Sequence, residues 1–409
     1  MNKHCRFTDG GISAVAGIQT AGIHSGIKKM KKDIALIVSD KKAAAAGVFT
    51  KNKVKAPPVL ATMENLKKAG GYGRAIIVNS GNANACTGDQ GLRDAQNMIK
   101  ATAENLQMPE QEVLVSSTGV IGVQLPMDIV LPGIKTACQA LGYNNSHDTA
   151  ISIMTTDTYP KETAVETMID GQKITIGGIA KGSGMIHPNM ATMLAFIASD
   201  VSITPSLLQA ALKDVVEETF NMISVDGDTS TNDMVLVLAN GYANNQQITK
   251  KNEDYQSFKE ALHLLCYKLA ELVVRDGEGA TKFVTVKVNN AGSLKDARSA
   301  ARTITTSSLV KTAVFGEDAN WGRVIMAIGN SEADFDPDKV DIYLESSCGR
   351  EQMMQDGMGL VFNEEKAKEI LSEKDIIYTV DLKMGNYAAT AWTCDLSYEY
   401  VRINADYRS

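Results

Sequence analysis

The sequence has few of the side chains on which the commonest catalytic sites depend. Its 409 residues include only five histidines and six cysteines, scattered along the chain without a CxxC pair or a Cys/His cluster at metal-ligand spacing. The sequence therefore predicts no metal site and no local Cys/His dyad, and it predicts reduced thiols. Because histidine, the usual general base, is scarce, an enzyme with this sequence needs a different base.

An excess of positive charge and long apolar runs are also missing. The chain has 41 Lys and Arg against 48 Asp and Glu, a formal net charge of -7, which argues against binding to the phosphates of nucleic acid. No run approaches the roughly 18 uninterrupted apolar residues of a membrane helix, and the start MNKHCRFTDGG has no apolar signal segment. We expect a cytoplasmic protein with no nucleic-acid or membrane partner.

The apolar patterns that are present alternate between strand and helix. Thr204 followed by Pro205 is a strong helix-start signal. The alternation over the whole length predicts a layered fold of the α/β or α+β class. We predict strands at 33–40, 43–49, 75–81, 112–122, 173–184, 190–200, 233–241 and 282–290, and helices at 91–106, 126–141, 147–155, 204–224, 255–275, 294–308 and 363–371.

Hydroxyls and glycines concentrate in four stretches: SSTGVIG (116–122), MTTDTYPK (154–161), AKGSGMIHPNMATM (180–193) and RDGEGATK (275–282). In a chain with few histidines, this concentration suggests a hydroxyl nucleophile with an oxyanion-stabilising site. The stretches lie far apart in sequence, so the hypothesis requires that the fold brings them together.

Thr192 is the candidate nucleophile. A threonine hydroxyl needs an adjacent base, and an α-amine on the same residue, with a pKa of about 7.7 to 8.0, would serve. That requires cleavage of the Ala191-Thr192 bond, to which the Thr192 hydroxyl itself is adjacent. The simpler interpretation is that Thr192 begins a buried strand after a glycine loop, and local sequence alone leaves both open.

Four other residues have a functional and a simpler interpretation. Lys181 can hold a carboxylate or an oxyanion, although a lysine in such a loop is more often solvated. Thr118 and Gly119 can supply two oxyanion donors, or end a strand in a turn. Glu278, between two glycines, can bind an ammonium or carry a proton, or be a solvated turn residue.

One polar loop resembles a calcium site only superficially. The stretch DGDTSTND contains Asp226, Asp228 and Asp233, but the glutamate expected at the twelfth position of a calcium loop is missing. The sequence therefore predicts no calcium binding there.

Taken together, six motifs in order along the chain resemble the glutamate N-acetyltransferase family of arginine biosynthesis, also called ornithine acetyltransferases. They are NSGNANACTG, MTTDTYPK, KGSGMIHPNMATML, DGEGATK, FGEDANWGR and YVRINADYRS. The resemblance implies a layered α/β fold, the α/β/β/α sandwich of this family and of related aminopeptidases. It also implies a precursor that cleaves itself into an α chain (1–191) and a β chain (192–409), intertwined in one catalytic unit and paired as a heterotetramer.

The resemblance further implies a ping-pong reaction in which Thr192 takes an acetyl group from N-acetylornithine and passes it to glutamate. No cofactor is implied, and acetyl-CoA is a possible second donor. Thr118 and Gly119 match the family's oxyanion pair, and Ala191 and Thr192 its cleavage site. The substrate-binding positions match Thr155, Lys181, Thr192, Glu278, Asn404 and Ser409.

Two alternatives remain open on the sequence alone. One is an aminopeptidase or amidase of the same architecture, in which water replaces the amino-acid acceptor. The other is a non-catalytic amino-acid-binding protein that keeps the pocket and never cleaves itself.

Overall fold

The computed structural model describes residues 5–187 and 193–405, which form sixteen β-strands and eleven α-helices. The strands are β1 (Arg6–Thr8), β2 (Ile18–Ile23), β3 (Ile34–Phe49), β4 (Tyr72–Asn82), β5 (Val113–Val120), β6 (Lys161–Ile169), β7 (Gln172–Lys181), β8 (Leu194–Ser199), β9 (Ile223–Ser224), β10 (Met234–Ala239), β11 (Phe283–Ala291), β12 (Asp341–Ser346), β13 (Gly349–Gln355), β14 (Met358–Gly359), β15 (Asp375–Asp381) and β16 (Tyr387–Cys394). The helices are α1 (Pro57–Lys68), α2 (Gly88–Leu106), α3 (Met127–Gln139), α4 (Ser146–Ile153), α5 (Pro205–Glu218), α6 (Glu253–Arg275), α7 (Leu294–Thr306), α8 (Ser308–Phe315), α9 (Trp321–Gly329), α10 (Glu364–Ser372) and α11 (Tyr398–Ala405).

The first sheet is built around β3, which is 16 residues long. Its strand order is β1-β6-β7-β8-β10-β3-β4-β5, and β2 pairs with β3 as well. On one edge of β3, β2 pairs with the first half and β10 with the second half, whereas β4 runs along the other edge. The long strand thus joins two wings: β2, β4 and β5 form one, and β10, β8, β7, β6 and β1 form the other.

The two wings pack face to face and carry helices on their outer sides. Ile76 and Val78 of β4 share a buried apolar cluster with Phe196 of β8 and Leu236 of β10. Helices α2 and α3 cover the outer face of the first wing, and α5 and α6 cover that of the second. This order of helix, sheet, sheet and helix confirms the predicted layered α/β fold and its α/β/β/α sandwich.

A second mixed sheet has the strand order β14-β13-β12-β15-β11-β16-β9. Its apolar side chains join those of α5 and α6 in one buried cluster, which ties this sheet to the first. The loop from α6 to β11 (276–282) crosses from one to the other. Its sequence DGEGATK is therefore held at both ends by buried structure.

Most predicted elements are observed close to their predicted bounds, but the strands predicted at 33–40 and 43–49 are one continuous strand, β3. The charged residues between them suggest a turn; instead Lys41 and Lys42 are exposed on a strand whose register with β4 shifts between Val38 and Ala43. A bulge in the pairing thus takes the place of a chain reversal. Helix α5 begins at Pro205 as predicted, but the Thr204 side chain makes no capping hydrogen bond.

Among the elements absent from the predictions are helices α1, α8, α9 and α11 and strands β1, β2 and β6. Of these, α11 matters most for function, because it lies in the terminal motif YVRINADYRS. Within the described ranges, no helix combines the length and apolar character that crossing a membrane requires.

Candidate active site

A cavity of about 160 Å³ lies where the two wings of the first sheet meet the loop after α6 and the last helix. Its walls come from the C-terminal ends of β5 and β7, the first residue of β8, the loop before β10, and α11. These elements are distant in sequence, so the cavity exists only in the folded chain. It is lined by Ala83, Thr118, Gly119, Ile121, Thr155, Thr156, Lys181, Gly184, Met185, Ile186, Met193, Leu194, Ser230, Thr231, Asn232, Asp233, Glu278 and Asn404.

Asn232 joins the two wings at the cavity wall. Its Nδ2 donates hydrogen bonds to the carbonyl oxygens of Ala83 (2.6 Å) and Ser117 (2.9 Å). The first contact lies just after β4 and the second within β5, while Asn232 itself precedes β10. One buried amide therefore fixes the loop before β10 against the strand that carries Thr118.

Thr118 and Gly119 form the end of β5 at this wall. Gly119 has φ +132°, and a Cβ there would lie 2.3 Å from the Gly81 carbonyl carbon and 2.5 Å from the Asn82 nitrogen. Only glycine fits this approach to β4. In the described part of the chain the Thr118 hydroxyl has no hydrogen-bond partner, so it is available to a ligand.

Lys181 places its side-chain ammonium group in the same cavity. It ends β7 and its residue is only 8% exposed, yet no carboxylate of the described residues lies within ion-pair distance of its Nζ. A nearly buried cation without a directly bonded anion is costly. The arrangement suits the binding of a carboxylate from solution.

Behind Lys181 lies a buried ion network that the sequence did not suggest. Lys161 Nζ is 2.7 Å from Asp157 Oδ1 and 2.5 Å from Asp276 Oδ2, and all three side chains are at most 2% exposed. Asp157 also accepts hydrogen bonds from the backbone N–H groups of Thr155 (2.9 Å) and Gly182 (2.7 Å). The network therefore ties together the start of β6, the end of β7 and the end of α6.

The electrostatic state of Asp157 is set by this network. Burial raises the pKa of its carboxyl, but the positive charges of Lys181 and Lys161 and the hydrogen bonds lower it by more, so that the pKa lies well below its ordinary value. Asp157 is thus a carboxylate that positions Thr155 and Gly182. Thr155 itself lines the cavity, and Gly182 comes directly after Lys181, which also lines it.

Glu278 and the C-terminal helix form the opposite wall. Glu278 Oε2 accepts a hydrogen bond of 2.8 Å from Asn404 Nδ2, and the Glu278 backbone N–H donates to the carbonyl of Ser183 at 3.0 Å. A Cβ on Gly184 would lie 2.4 Å from the Glu278 carboxylate, so a larger residue there would displace this carboxylate from its present position. Ser397 also donates to the Gly279 carbonyl (2.6 Å), which holds α11 against the loop.

Asp226 holds the segment that follows β7 (182–187) in place. Its carboxylate accepts hydrogen bonds from the backbone N–H groups of Met185 (2.6 Å) and Ile186 (2.8 Å) and from the Tyr400 hydroxyl (3.3 Å). Thr229 donates to the carbonyl of His187 (2.8 Å). The DGDTSTND loop, which resembles a calcium site in sequence, instead positions the segment that leads to Pro188.

Six of the predicted site residues line this one cavity: Thr118, Gly119, Thr155, Lys181, Glu278 and Asn404. Ala191, Thr192 and Ser409 lie outside the described residues, as does the predicted boundary between the 1–191 and 192–409 chains. Their roles, and the division of the chain, stay predictions. Across 5–187 and 193–405, no group of three or more His, Cys, Asp or Glu side chains is placed to hold a metal ion.

Sequence reasoning missed two sets of residues at the site. The first is the network of Asp157, Lys161 and Asp276, whose members lie within predicted motifs but have no individual signal. The second is the end of the DGDTSTND loop, where Asn232 and Asp233 line the cavity. The signal for the second set was the similarity of this loop to DGEGATK, since both precede a strand and both reach the cavity.

Comparison with known protein families assigns the chain. A model of the ArgJ family matches residues 19–409. The chain belongs to the ArgJ family. It is 52% identical to the arginine biosynthesis bifunctional protein ArgJ of Caldanaerobacter subterraneus subsp. tengcongensis, over 98% of this chain and 99% of that protein. It is 51% identical to ArgJ of Thermotoga neapolitana, over 96% and 99% of the two chains.

Solved structures include two relatives that match part of the chain. An ornithine acetyltransferase from Mycobacterium tuberculosis, crystallised with ornithine, is 40% identical and covers 46% of this chain and all of its own, with a TM-score of 0.43. ArgJ from Bacillus halodurans is 43% identical and covers 46% of this chain and 98% of its own, with a TM-score of 0.44.

Membership of the ArgJ family confirms the recognition made from the motifs. The chain is an enzyme of arginine biosynthesis, and its predicted assignment as a glutamate N-acetyltransferase is confirmed. The alternatives of an aminopeptidase or amidase and of a non-catalytic binding protein are not favoured.

Proposed function

We propose that the chain transfers an acetyl group from N-acetylornithine to glutamate in two steps, through an acetyl ester on Thr192. Self-cleavage of the Ala191-Thr192 bond first frees the α-amine that serves as the base for the threonine hydroxyl. Acetyl-CoA is a second acetyl donor in this proposal, and no cofactor is required. Two α and two β chains form the working heterotetramer, and the reaction takes place in the cytoplasm.

The observation that carries the proposal is the convergence of the predicted residues on one cavity at the start of β8. Thr118 and Gly119, Lys181 and Glu278 come from three separate elements, and Met193, which comes directly after Thr192 in the chain, lies in the same wall. A nucleophile at the start of β8 would thus face an oxyanion site, a cation and a carboxylate. This combination is what acyl transfer between amino acids requires.

The charges in the cavity suit substrates that are amino acids. N-acetylornithine and glutamate both carry an α-carboxylate, which the ammonium of Lys181 can bind in either half of the reaction. Glu278 can bind the side-chain ammonium of N-acetylornithine. One site therefore serves the donor and the acceptor in turn, as a ping-pong reaction demands.

Transfer instead of hydrolysis also requires that water stays away from the acetyl ester. Helix α11 contributes Asn404 to the cavity wall, where it holds Glu278, and the helix is anchored by Ser397. We infer that the C-terminal segment closes the site on this side and so favours glutamate over water as the acceptor.

Product analysis tests the proposed function directly. With N-acetylornithine and glutamate, the protein is expected to form ornithine and N-acetylglutamate in equal amounts. Without glutamate, labelled ornithine is expected to exchange into N-acetylornithine, because the acetyl-enzyme forms reversibly. Release of acetate at the same rate with and without glutamate would instead indicate a hydrolase. Acetyl-CoA as sole donor tests the second activity.

Lys181→Met is expected to weaken substrate binding strongly. Loss of a hydrogen bond to a charged group costs about 1.5–3 kcal/mol, so KM for N-acetylornithine and for glutamate should each rise about ten- to a hundredfold. The control is Lys173→Met, which removes an exposed lysine from the same strand. Steady-state kinetics with each substrate varied in turn provide the measurement. An unchanged KM for both substrates would contradict the role of Lys181.

Removal of residues 404–409 is expected to shift the enzyme from transfer towards hydrolysis. The truncation deletes the hydrogen bond from Asn404 to Glu278 and opens one wall of the cavity. The measurement is the ratio of acetate to N-acetylglutamate, which should rise at least about tenfold if water exclusion depends on this segment. Val401→Ala, an exposed change on the same helix, is the control. An unchanged ratio would remove the segment from the mechanism.

A further inference from the structure

Asp233 is a buried carboxyl at the cavity without a role in the acetyl transfer proposed above. Its residue is 3% exposed, it lines the cavity, and its Oδ2 is buried with no hydrogen-bond partner among the described residues. An unsatisfied buried polar atom destabilises a fold, typically by about 1–3 kcal/mol. Such an atom on a residue that lines an active-site cavity suggests a partner that arrives with the substrate.

The position of Asp233 relative to β8 is fixed by strand pairing. Met234, the next residue, pairs with Leu194 in the parallel ladder of β10 and β8, and its N–H donates to the carbonyl of Met193 at 3.2 Å. Asp233 therefore lies beside the residue with which the described chain resumes after 188–192. Both Asp233 and Met193 line the cavity.

The surroundings of Asp233 favour the protonated form of its carboxyl. Burial raises the pKa of Asp233 well above its ordinary value, and a hydrogen bond with Ser230 and the positive charge of Lys181 offset this only in part. Lys181 on β7 and Glu278 after α6 are the other charged side chains that line the cavity in the described chain. Strands β3 and β8, which pair with β10 on either side, contribute no charged side chain to the cavity wall.

We propose that Asp233 is a further catalytic residue, whose carboxyl protonates the departing amine of the acetyl donor and whose carboxylate then takes a proton from the incoming amine. This inference rests on the proposed function and assigns it a proton carrier. A carboxyl that is held neutral in a buried site is suited to donate a proton at the pH of the cell. Amides require such a donor because an amine leaves poorly as its anion.

The protons balance over the two half-reactions. In the first, the threonine oxygen bonds to the acetyl carbon, its proton passes to the α-amine, the C–N bond breaks, and Asp233 protonates the leaving nitrogen. In the second, the neutral amine of glutamate bonds to the acetyl carbon and gives a proton to the Asp233 carboxylate. The ester C–O bond breaks, and the threonine oxygen regains its proton from the α-ammonium.

The test compares two acetyl donors that differ in their need for a proton. N-acetylornithine releases an amine, whereas p-nitrophenyl acetate releases a phenolate that leaves without protonation. In Asp233→Asn, single-turnover release of ornithine should fall by at least about a hundredfold, the usual contribution of general acid catalysis. The burst of p-nitrophenolate should stay within about threefold of the wild-type rate, because no acid is needed for that step.

Asp228→Asn is the matched control, since Asp228 is exposed in the same loop and is not part of the cavity wall. It should leave both rates unchanged. Equal slowing of the two donors by Asp233→Asn would indicate a structural role and overturn the proposal, as would an unchanged rate with N-acetylornithine. A wild-type protein that releases no ornithine from N-acetylornithine would overturn the proposed function itself.

A measurement on the wild-type protein covers the case in which Asp233→Asn does not fold. As the pH rises through the pKa of the acid, ornithine release should slow, because the carboxyl loses the proton that it donates. The p-nitrophenolate burst should show no such decline. Identical pH profiles for the two donors would overturn the proposal independently of any variant.

Discussion

Thr192→Ala is expected to give a single uncut chain of 409 residues with no detectable acetyl transfer. In the proposed mechanism, this substitution removes the one hydroxyl that attacks the Ala191 carbonyl and later carries the acetyl group. A denaturing gel should show one band for the variant and two bands, each of roughly half the length, for the wild-type protein. Activity with N-acetylornithine and glutamate should fall to background.

Thr192→Ser is the matched control for this experiment because it keeps the hydroxyl. It should still cleave and retain measurable transfer, at a reduced rate. Cleavage of Thr192→Ala at the same bond would contradict self-processing by this residue. A wild-type protein that stays intact yet transfers acetyl groups would separate the transfer reaction from cleavage and require another nucleophile.

Lys161→Met is expected to destabilise the fold by about 3–5 kcal/mol, the usual cost of removing one partner from a buried ion network. The change leaves the carboxylates of Asp157 and Asp276 buried without their shared cation. Urea unfolding monitored by circular dichroism would measure the loss. Lys173→Met, in the same hairpin, removes an exposed ion pair and should change the free energy of unfolding by less than about 1 kcal/mol.

The two aspartates also permit a compensation test. If the loss in Lys161→Met comes from uncompensated charge, then adding Asp157→Asn and Asp276→Asn should recover part of the stability, because the buried charges are then gone. A triple variant that is no more stable than Lys161→Met would show that packing of the lysine stem, not its charge, is what the fold requires.

The pH dependence of stability is expected to reflect Asp157. Its pKa is lower in the folded chain than the unfolded value of about 3.9, so the stabilisation is fully present above about pH 5 and is lost as the pH falls below that. Thermal melting of the wild-type protein should therefore shift to lower temperature between about pH 5 and 2, most steeply below about pH 4. Lys161→Met should show a smaller shift, because Asp157 has then lost one of the two lysines that lower its pKa.

Local sequence was informative about elements whose pattern is self-contained. Helix α6 and strands β10 and β11 lie close to the predicted positions, because their apolar periodicity reflects burial on a regular element. The pattern failed at β3, where exposed lysines in the middle of a strand look like a turn. It also failed at α11, which has no buried face in the described chain and hence no apolar stripe.

The candidate site shows a similar division. Thr118, Gly119, Lys181 and Glu278 stand out in sequence because polar residues and glycines are concentrated around them, and the resemblance to a family gives each a role. Asp233 does not stand out, since an aspartate in a polar loop is ordinarily solvated. It becomes notable only in the folded structure, where its Oδ2 is buried without a hydrogen-bond partner among the described residues and its residue lines the cavity.

The sequence by itself determined the family, the class of reaction and the candidate nucleophile, because motif identity and spacing survive without coordinates. The tertiary structure decided which residues act together. Lys161 forms ion pairs with Asp157 and Asp276, and Asn232 bridges the two wings. Lys161 and Asp276 are more than a hundred positions apart in the sequence, as are Asn232 and Ser117. Burial and partners at such separations depend on packing, so no local pattern reports them.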